Sequence, residues 1–216
     1  MLLSTAYFPP VSWFAALASE FTLSASEDGV SLFPVHIEAC EHYVKQTWRN
    51  RCTILSANGP LSLSFPVVHD GEDSIAGVRV DYSVPWVAKT EKAVESAYDS
   101  SPFFEYYRDG IFGILESRPQ TLWELNLSLI RYFVERMGLP VRLVPTEEFT
   151  APGACPGADH RYDITPKRPD TILASLGLEK PYYQVFASKF GFTPNLSIMD
   201  LLFNMGPESI LYIKNL

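Results

Sequence analysis

The chain of 216 residues is short of the features that settle function quickly. It has only three cysteines, Cys40, Cys52 and Cys155. Their odd number and wide spacing argue against a disulfide framework, and no two stand at zinc-ligand spacing. The four histidines, His36, His42, His69 and His160, form no close metal pattern either, so no metal site and no cofactor are expected. Apolar runs never approach the ~20 residues that span a bilayer. The opening "MLLSTAYFPPVSWFAALA" lacks a basic leader and is cut by Pro9-Pro10, so it does not read as a signal peptide. A soluble, cytoplasmic protein is expected. Positive charge is also scarce: 17 Lys+Arg against 25 Asp+Glu leaves −8, which argues against general nucleic-acid binding. No G-x-S-x-G elbow and no phosphate-cradling P-loop occurs.

What the chain does have is a folded composition, 47% hydrophobic and 19% charged. A single domain over 1–216 is expected, strand-rich to about residue 85, helical over 86–140, Pro/Gly-rich over 146–195, and closed by a helix and a strand over 196–216. "LLSTAYF" reads as a strand and "VSWFAALAS" as a helix after its prolines. "FTLSAS" alternates as a strand does, Asp28-Gly29 signals a turn, and "HIEAC" suggests another strand. In "CTILSANGPLSLSFPVV", Asn58-Gly59 predicts the two turn residues of a type I′ hairpin. "GVRVDY" continues the strands, with Asp81 at the end.

Three helices follow, the second with Ser101 as N-cap and Pro102 at its first position, the third with Leu122, Leu125, Leu129 and Phe133 on one face. "VRLVP" suggests a strand buried on both sides. Ser197 and Asp200 have capping-box spacing, Gly206-Pro207 stops that helix, and "SILYI" suggests an edge strand. The fold class is α/β: a short open sheet that admits a Rossmann-like arrangement, with a β-hairpin and packed helices. Ligands of such sheets sit at the carboxyl ends of the strands.

The one local excess of positive charge is "HYVKQTWRNRC", residues 42–52. Lys45 and Arg49 are four apart, which gives them one face in a helix and in a strand alike; in a strand Arg51 joins them. Together they suit a phosphate or a carboxylate, with Gln46 and Asn50 beside them. The competing reading pairs these cations with the chain's own surplus acids. The partner implied is a phosphorylated or carboxylated small molecule. "ESAYDSSPFFEYYRD" offers Glu95, Tyr98, Glu105 and Tyr106 for acid–base or positioning work, whereas Phe103, Phe104 and Tyr107 read as core. In "PYYQVFASKFGFTPNLSIMDLLFNMGPES", Gln184 and Asn204 are polar candidates among apolar neighbours. His42, Glu95 and Glu105 are the candidate catalytic groups. Lys45, Gln46, Arg49, Asn50, Arg51, Tyr98, Tyr106, Gln184 and Asn204 are the candidate binding groups.

With "YFPPVSWF" and "ANGPLSLSFPV", these motifs resemble the WbqC-like protein family, in Bacteroidetes-type variants, from about residue 2 to 212. The family motif carries over at Lys45, Gln46, Arg49, Asn50, Arg51, Asn58 and Gly59. Later it carries over at Glu95, Tyr98, Pro102, Tyr106, Gln184, Asn195, Ser197, Asp200, Asn204 and Gly206. The resemblance implies a setting in O-antigen and lipopolysaccharide biosynthesis, where some members bear a glycine-transferase label. It therefore implies a transferase acting on a sugar or nucleotide-linked sugar; the alternative is a non-catalytic binding or scaffold protein for envelope assembly. After Trp86 relatives often carry a histidine-containing run where this chain reads "VAKTEKAVE". Lys89 replaces such a base near neutral pH only with a large pKa depression.

Overall fold

A computed structural model describes residues 1–22, 32–68, 71 and 74–215. In chain order its first half runs β1 (Leu2–Ser4), α1 (Val11–Thr22), β2 (Phe33–Glu38), β3 (Arg51–Ser56), β4 (Gly59–Ser64) and α2 (Trp86–Tyr98). The second half runs α3 (Phe104–Glu116), α4 (Leu122–Arg136), β5 (Val141–Pro145), α5 (Ile172–Ser175), α6 (Ala187–Phe190), α7 (Ile198–Met205) and α8 (Ser209–Ile213). Phe21 and Thr22, expected to open the "FTLSAS" strand, end α1 instead; the rest of that stretch, the Asp28-Gly29 turn and His69 lie outside the described residues. Among the described residues no helix is long and apolar enough to cross a membrane.

β1, α1 and β2 form a parallel β–α–β unit, and β5 adds a third parallel strand in the order β1-β2-β5. The α/β expectation holds, with an open parallel sheet, a separate hairpin and packed helices. Val35 and Ile37 of the central strand are buried while Pro34 and His36 between them are exposed. One side of the sheet therefore carries the core. The expectation that "VRLVP" is buried on both sides fails for the same reason: Arg142 points to solvent. Residues 158–160 run along the outer edge of β1, where Leu2 N donates to Ala158 O and His160 N to Leu2 O. That contact satisfies an edge strand and carries the following side chains to the end of the sheet.

Leu122, Leu125, Leu129 and Phe133 of α4 are fully buried, as their helical spacing requires. Each such side chain contributes about 1.5–3 kcal/mol through burial. Thr121 caps this helix in a reciprocal box with Glu124. The hairpin forms with a different turn from the one expected. Ala57 and Asn58 are the turn residues, Gly59 pairs with Ser56, and only Gly59 takes positive φ, +104°. A type I′ turn needs positive φ at both of its central residues, whereas here the glycine stands just past the two-residue turn and alone takes the positive φ. α3 begins at Phe104, not at Pro102, and Ser101 gives no side-chain cap. "SILYI" is α8, a helix, not an edge strand. "GVRVDY" contributes isolated bridges, Val67 to Val80 and Arg79 to Thr121, without a named strand.

Candidate functional site

The basic stretch lies between β2 and β3, and residues 43–50 belong to neither a helix nor a strand. The shared-face argument for Lys45 and Arg49 therefore loses its premise. Arg49 is 8% exposed, and its guanidinium makes a two-pronged pair with Glu41, Nε to Oε1 at 2.9 Å and Nη2 to Oε2. Nη2 also donates to Ser4 Oγ at the end of β1, 3.0 Å. The Arg49 carbonyl accepts from Asn126 Nδ2 of α4 at 2.7 Å. Arg49 is thus a tie between the loop, β1 and α4, neutralised by the chain's own carboxylate, while Lys45 stands exposed in solvent. The two do not form a clamp.

The rest of the stretch divides in the same way. Asn50 Nδ2 donates to Phe65 O at 2.9 Å, fastening the loop to the end of β4, and Asn50 Oδ1 is left without a partner. Arg51 opens β3, is half-buried, and its Nε has no hydrogen-bond partner. Gln46 is exposed with φ +59°, and His42 is exposed beside Ser74. Among the described residues, no carboxylate pairs with Lys45 or Arg51.

A second buried network stands at the ends of the same strands. Arg161 donates from Nη1 to Glu38 Oε2 at 2.8 Å, and from Nε and Nη2 to Asp159 at 2.9 and 2.7 Å. The Arg161 and Glu38 side chains are both fully buried. Glu38, the last residue of β2, also accepts from Thr146 Oγ1 at 2.7 Å and from the backbone N–H groups of Cys40 and Thr150. The guanidinium beside Asp159 holds that carboxyl below its usual range. Between the two networks lies a cavity of about 20 Å³, lined in part by Ser4, Thr5, Trp13, Arg49 and His160. It has room for about one water, and buried Thr5 Oγ1 has no partner.

The carboxyl edge of the sheet is therefore dense in charge, yet two guanidinium groups face three carboxylates there. Its fixed charge does not attract an anion. Glu38, Glu41, Asp159 and Arg161 were not singled out from sequence. The nearest signal was the placement of Glu38 and Glu41 just ahead of the basic stretch. Nothing local announces Arg161, which is 123 positions from Glu38. Among the described residues no group of three or more His, Cys, Asp or Glu is placed to hold a metal ion.

The remaining candidates fall into two other places. Glu95, Glu105 and Tyr106 sit exposed on α2 and α3, Tyr106 at 79%. Glu95 Oε1 lies 4.0 Å from Arg108 Nη1. None of the three approaches a nucleophile or a buried base partner, so these acids keep no pre-organised catalytic geometry. Tyr98, Gln184 and Asn204 do come together, but in the interior, around Asp200. Asp200 accepts from Tyr182 Oη at 2.6 Å and from Gln184 Nε2 at 2.8 Å. The Tyr98 hydroxyl faces the same carboxyl without a bond of ordinary geometry. Asn204 Nδ2 donates to the Asp200 carbonyl at 2.7 Å. Burial pushes Asp200 up to about 6. Gln184 further accepts from Thr193 N and donates to Thr193 O, closing the loop ahead of α7. This cluster locks α7 to the 181–193 segment. Ser197 caps α7 through Met199 N, while Asp200 turns inward instead of completing the box.

Comparison with known proteins agrees with the motifs. Residues 34–167 match the WbqC-like protein family. An uncharacterised protein, Rv1507c, of Mycobacterium tuberculosis (strain ATCC 25618 / H37Rv) is 26% identical over 199 residues, covering 80% of this chain and 84% of that protein. That relative gives no support to a Bacteroidetes-type affinity. No solved structure matches the chain.

Proposed function

We propose that this chain, which belongs to the WbqC-like protein family, is a cytoplasmic transferase acting on a sugar or nucleotide-linked sugar in surface-polysaccharide synthesis. Its phosphorylated or carboxylated substrate is held at the margin of the carboxyl edge by Lys45 and Arg51. The observation that carries this reading is the unpaired state of Arg51. Its Nε is buried without a partner, beside a loop whose other arginine is fully engaged. A guanidinium with unsatisfied N–H groups is a ready partner for phosphate. Arg49 and Glu41 position this loop and do not touch substrate. His42 is the exposed acid–base candidate on the same loop.

A specific observation favours the second reading, a non-catalytic binding protein. The cavity at the carboxyl edge holds about 20 Å³, far below the 300–1,000 Å³ of small-molecule sites. The test is differential scanning fluorimetry with UDP-sugars, sugar phosphates, aminoacyl donors and pyrophosphate at millimolar concentration, followed by product analysis with an acceptor. A thermal shift that disappears in the Lys45→Ala/Arg51→Ala double variant, together with turnover, supports the transferase. A shift without turnover keeps the anion site and removes the transfer step. No response to any ligand removes the anion site altogether.

A further inference from the structure

Between α2 and α3 the surface opens into a hollow of about 470 Å³, the size of a small-ligand site. Tyr82, Val87 and Glu91 form one side, and Glu116 and Arg118, at the end of α3, are on its rim. Two buried polar atoms at or behind this wall have no hydrogen-bond partner: Glu91 Oε1 and the Trp86 indole N–H. Buried orphans of this kind are few in native interiors, and each one needs an explanation. Tyr7 is 0% exposed and Trp86 4%. The indole stacks on Tyr82 with ring centres 5.5 Å apart, and Tyr7 meets the indole edge-on at 6.4 Å. The indole therefore lies one layer behind the wall, and Tyr7 behind the indole. The Tyr7 hydroxyl turns to Thr90 as its hydrogen-bonding neighbour, with Cys52, Tyr82 and Glu91 around it.

The charge of the hollow points to the ligand. Glu91 is held above its usual range by burial first, and then by its like-charged neighbours Glu116 and Glu95. Among the described residues no ion pair engages Glu91 or Glu116. Arg118 turns instead over the Tyr82 ring, 5.7 Å from its centre, with its backbone at φ +49°. With two carboxylates and one guanidinium on its lining, the hollow is left one positive charge short.

We infer that the hollow between α2 and α3 binds a small hydroxylated monocation, an amino sugar with a free amine. Its ammonium group donates to Glu91 and Glu116, and its hydroxyls meet Arg118. The indole N–H is reached through a bridging water. A neutral sugar of the same shape leaves the two carboxylates unrelieved. Binding here rests on groups apart from Lys45 and Arg51; only a role for this ligand as the acceptor of a transfer rests on the proposed function.

Titration calorimetry with glucosamine, glucose and N-acetylglucosamine tests the inference on wild type, Glu91→Gln and Glu116→Gln, each checked for native circular dichroism. The expected result is that glucosamine binds wild type at least about ten-fold tighter than the two neutral sugars, and that Glu91→Gln abolishes this preference. Glu116→Gln weakens it to a smaller degree. Equal binding of all three sugars, no binding of glucosamine, or a preference unchanged in a folded Glu91→Gln protein overturns it. The pyrophosphate shift, measured on the same variants, is expected to persist, which separates failure here from failure at the carboxyl edge.

Discussion

The carboxyl edge of the sheet and the hollow between α2 and α3 both gather charge, but they treat it in opposite ways. At the sheet edge Arg49 and Arg161 are buried and their N–H groups are spent on Glu41, Ser4, Glu38 and Asp159. In the hollow, no ion pair engages Glu91 or Glu116 among the described residues, and the Trp86 indole N–H behind them has no acceptor. The comparison teaches that a concentration of charge marks structure when the groups answer one another, and marks a ligand when they do not. The conspicuous cation in the sequence, Arg49, belongs to the first kind.

The largest effect expected from breaking this contrast is at Arg161. Arg161→Ala leaves Glu38 buried without its cation, and a stability loss of about 3–5 kcal/mol in urea unfolding is predicted. That is a large part of the about 5–15 kcal/mol that keeps a typical domain folded. A second, pH-dependent effect is expected at Asp200, the interior carboxyl faced by Tyr182, Tyr98 and Gln184. Its folded value of about 6 lies above the ordinary unfolded value of about 3.9. Its neutral form is therefore favoured by folding. The stabilisation is fully present below the unfolded value and is lost as pH rises through about 6. Melting temperatures of wild type minus Asp200→Asn are predicted to fall from pH 4 to pH 7; a flat difference contradicts the assignment. Thr121→Ala, which removes the α4 capping box, is predicted to cost about 1 kcal/mol, read by urea unfolding. The smallest effect is at Glu91. Glu91→Gln removes an unanswered charge, so stability is predicted to stay within about 0.5 kcal/mol of wild type, the reverse of Arg161→Ala.

Much of the fold was legible because periodicity reports burial directly. β1, α1, the hairpin and the buried face of α4 follow from spacing, while of β2 (Phe33–Glu38) the "HIEAC" pattern reaches only the last three residues. The misreadings came where two structures share one local pattern. Asn58-Gly59 suits two turns, "SILYI" is too short to separate strand from helix, and "VRLVP" places Arg142 on a face that no element covers. The site was legible only by half. Lys45, Arg49 and Arg51 stand out in an acidic chain, yet which of them is neutralised depends on where Glu41 folds. The Glu38–Arg161 pair joins residues with no local relation. Gln184 and Asn204 were noticed as polar residues among apolar ones, which is the mark of a buried network as much as of a ligand contact. Asp200, at its centre, was read as a cap.

The measurement that tests the central contrast most directly compares Arg49→Ala with Arg51→Ala, two arginines of one motif, by melting temperature and by the shift pyrophosphate induces. Arg49→Ala is predicted to lower the melting temperature by about 5–10 °C. Arg51→Ala is predicted to change it by no more than about 2 °C and to abolish the pyrophosphate response. If Arg51→Ala unfolds the protein while Arg49→Ala leaves it stable and insensitive to pyrophosphate, the division between answered and unanswered charge is wrong.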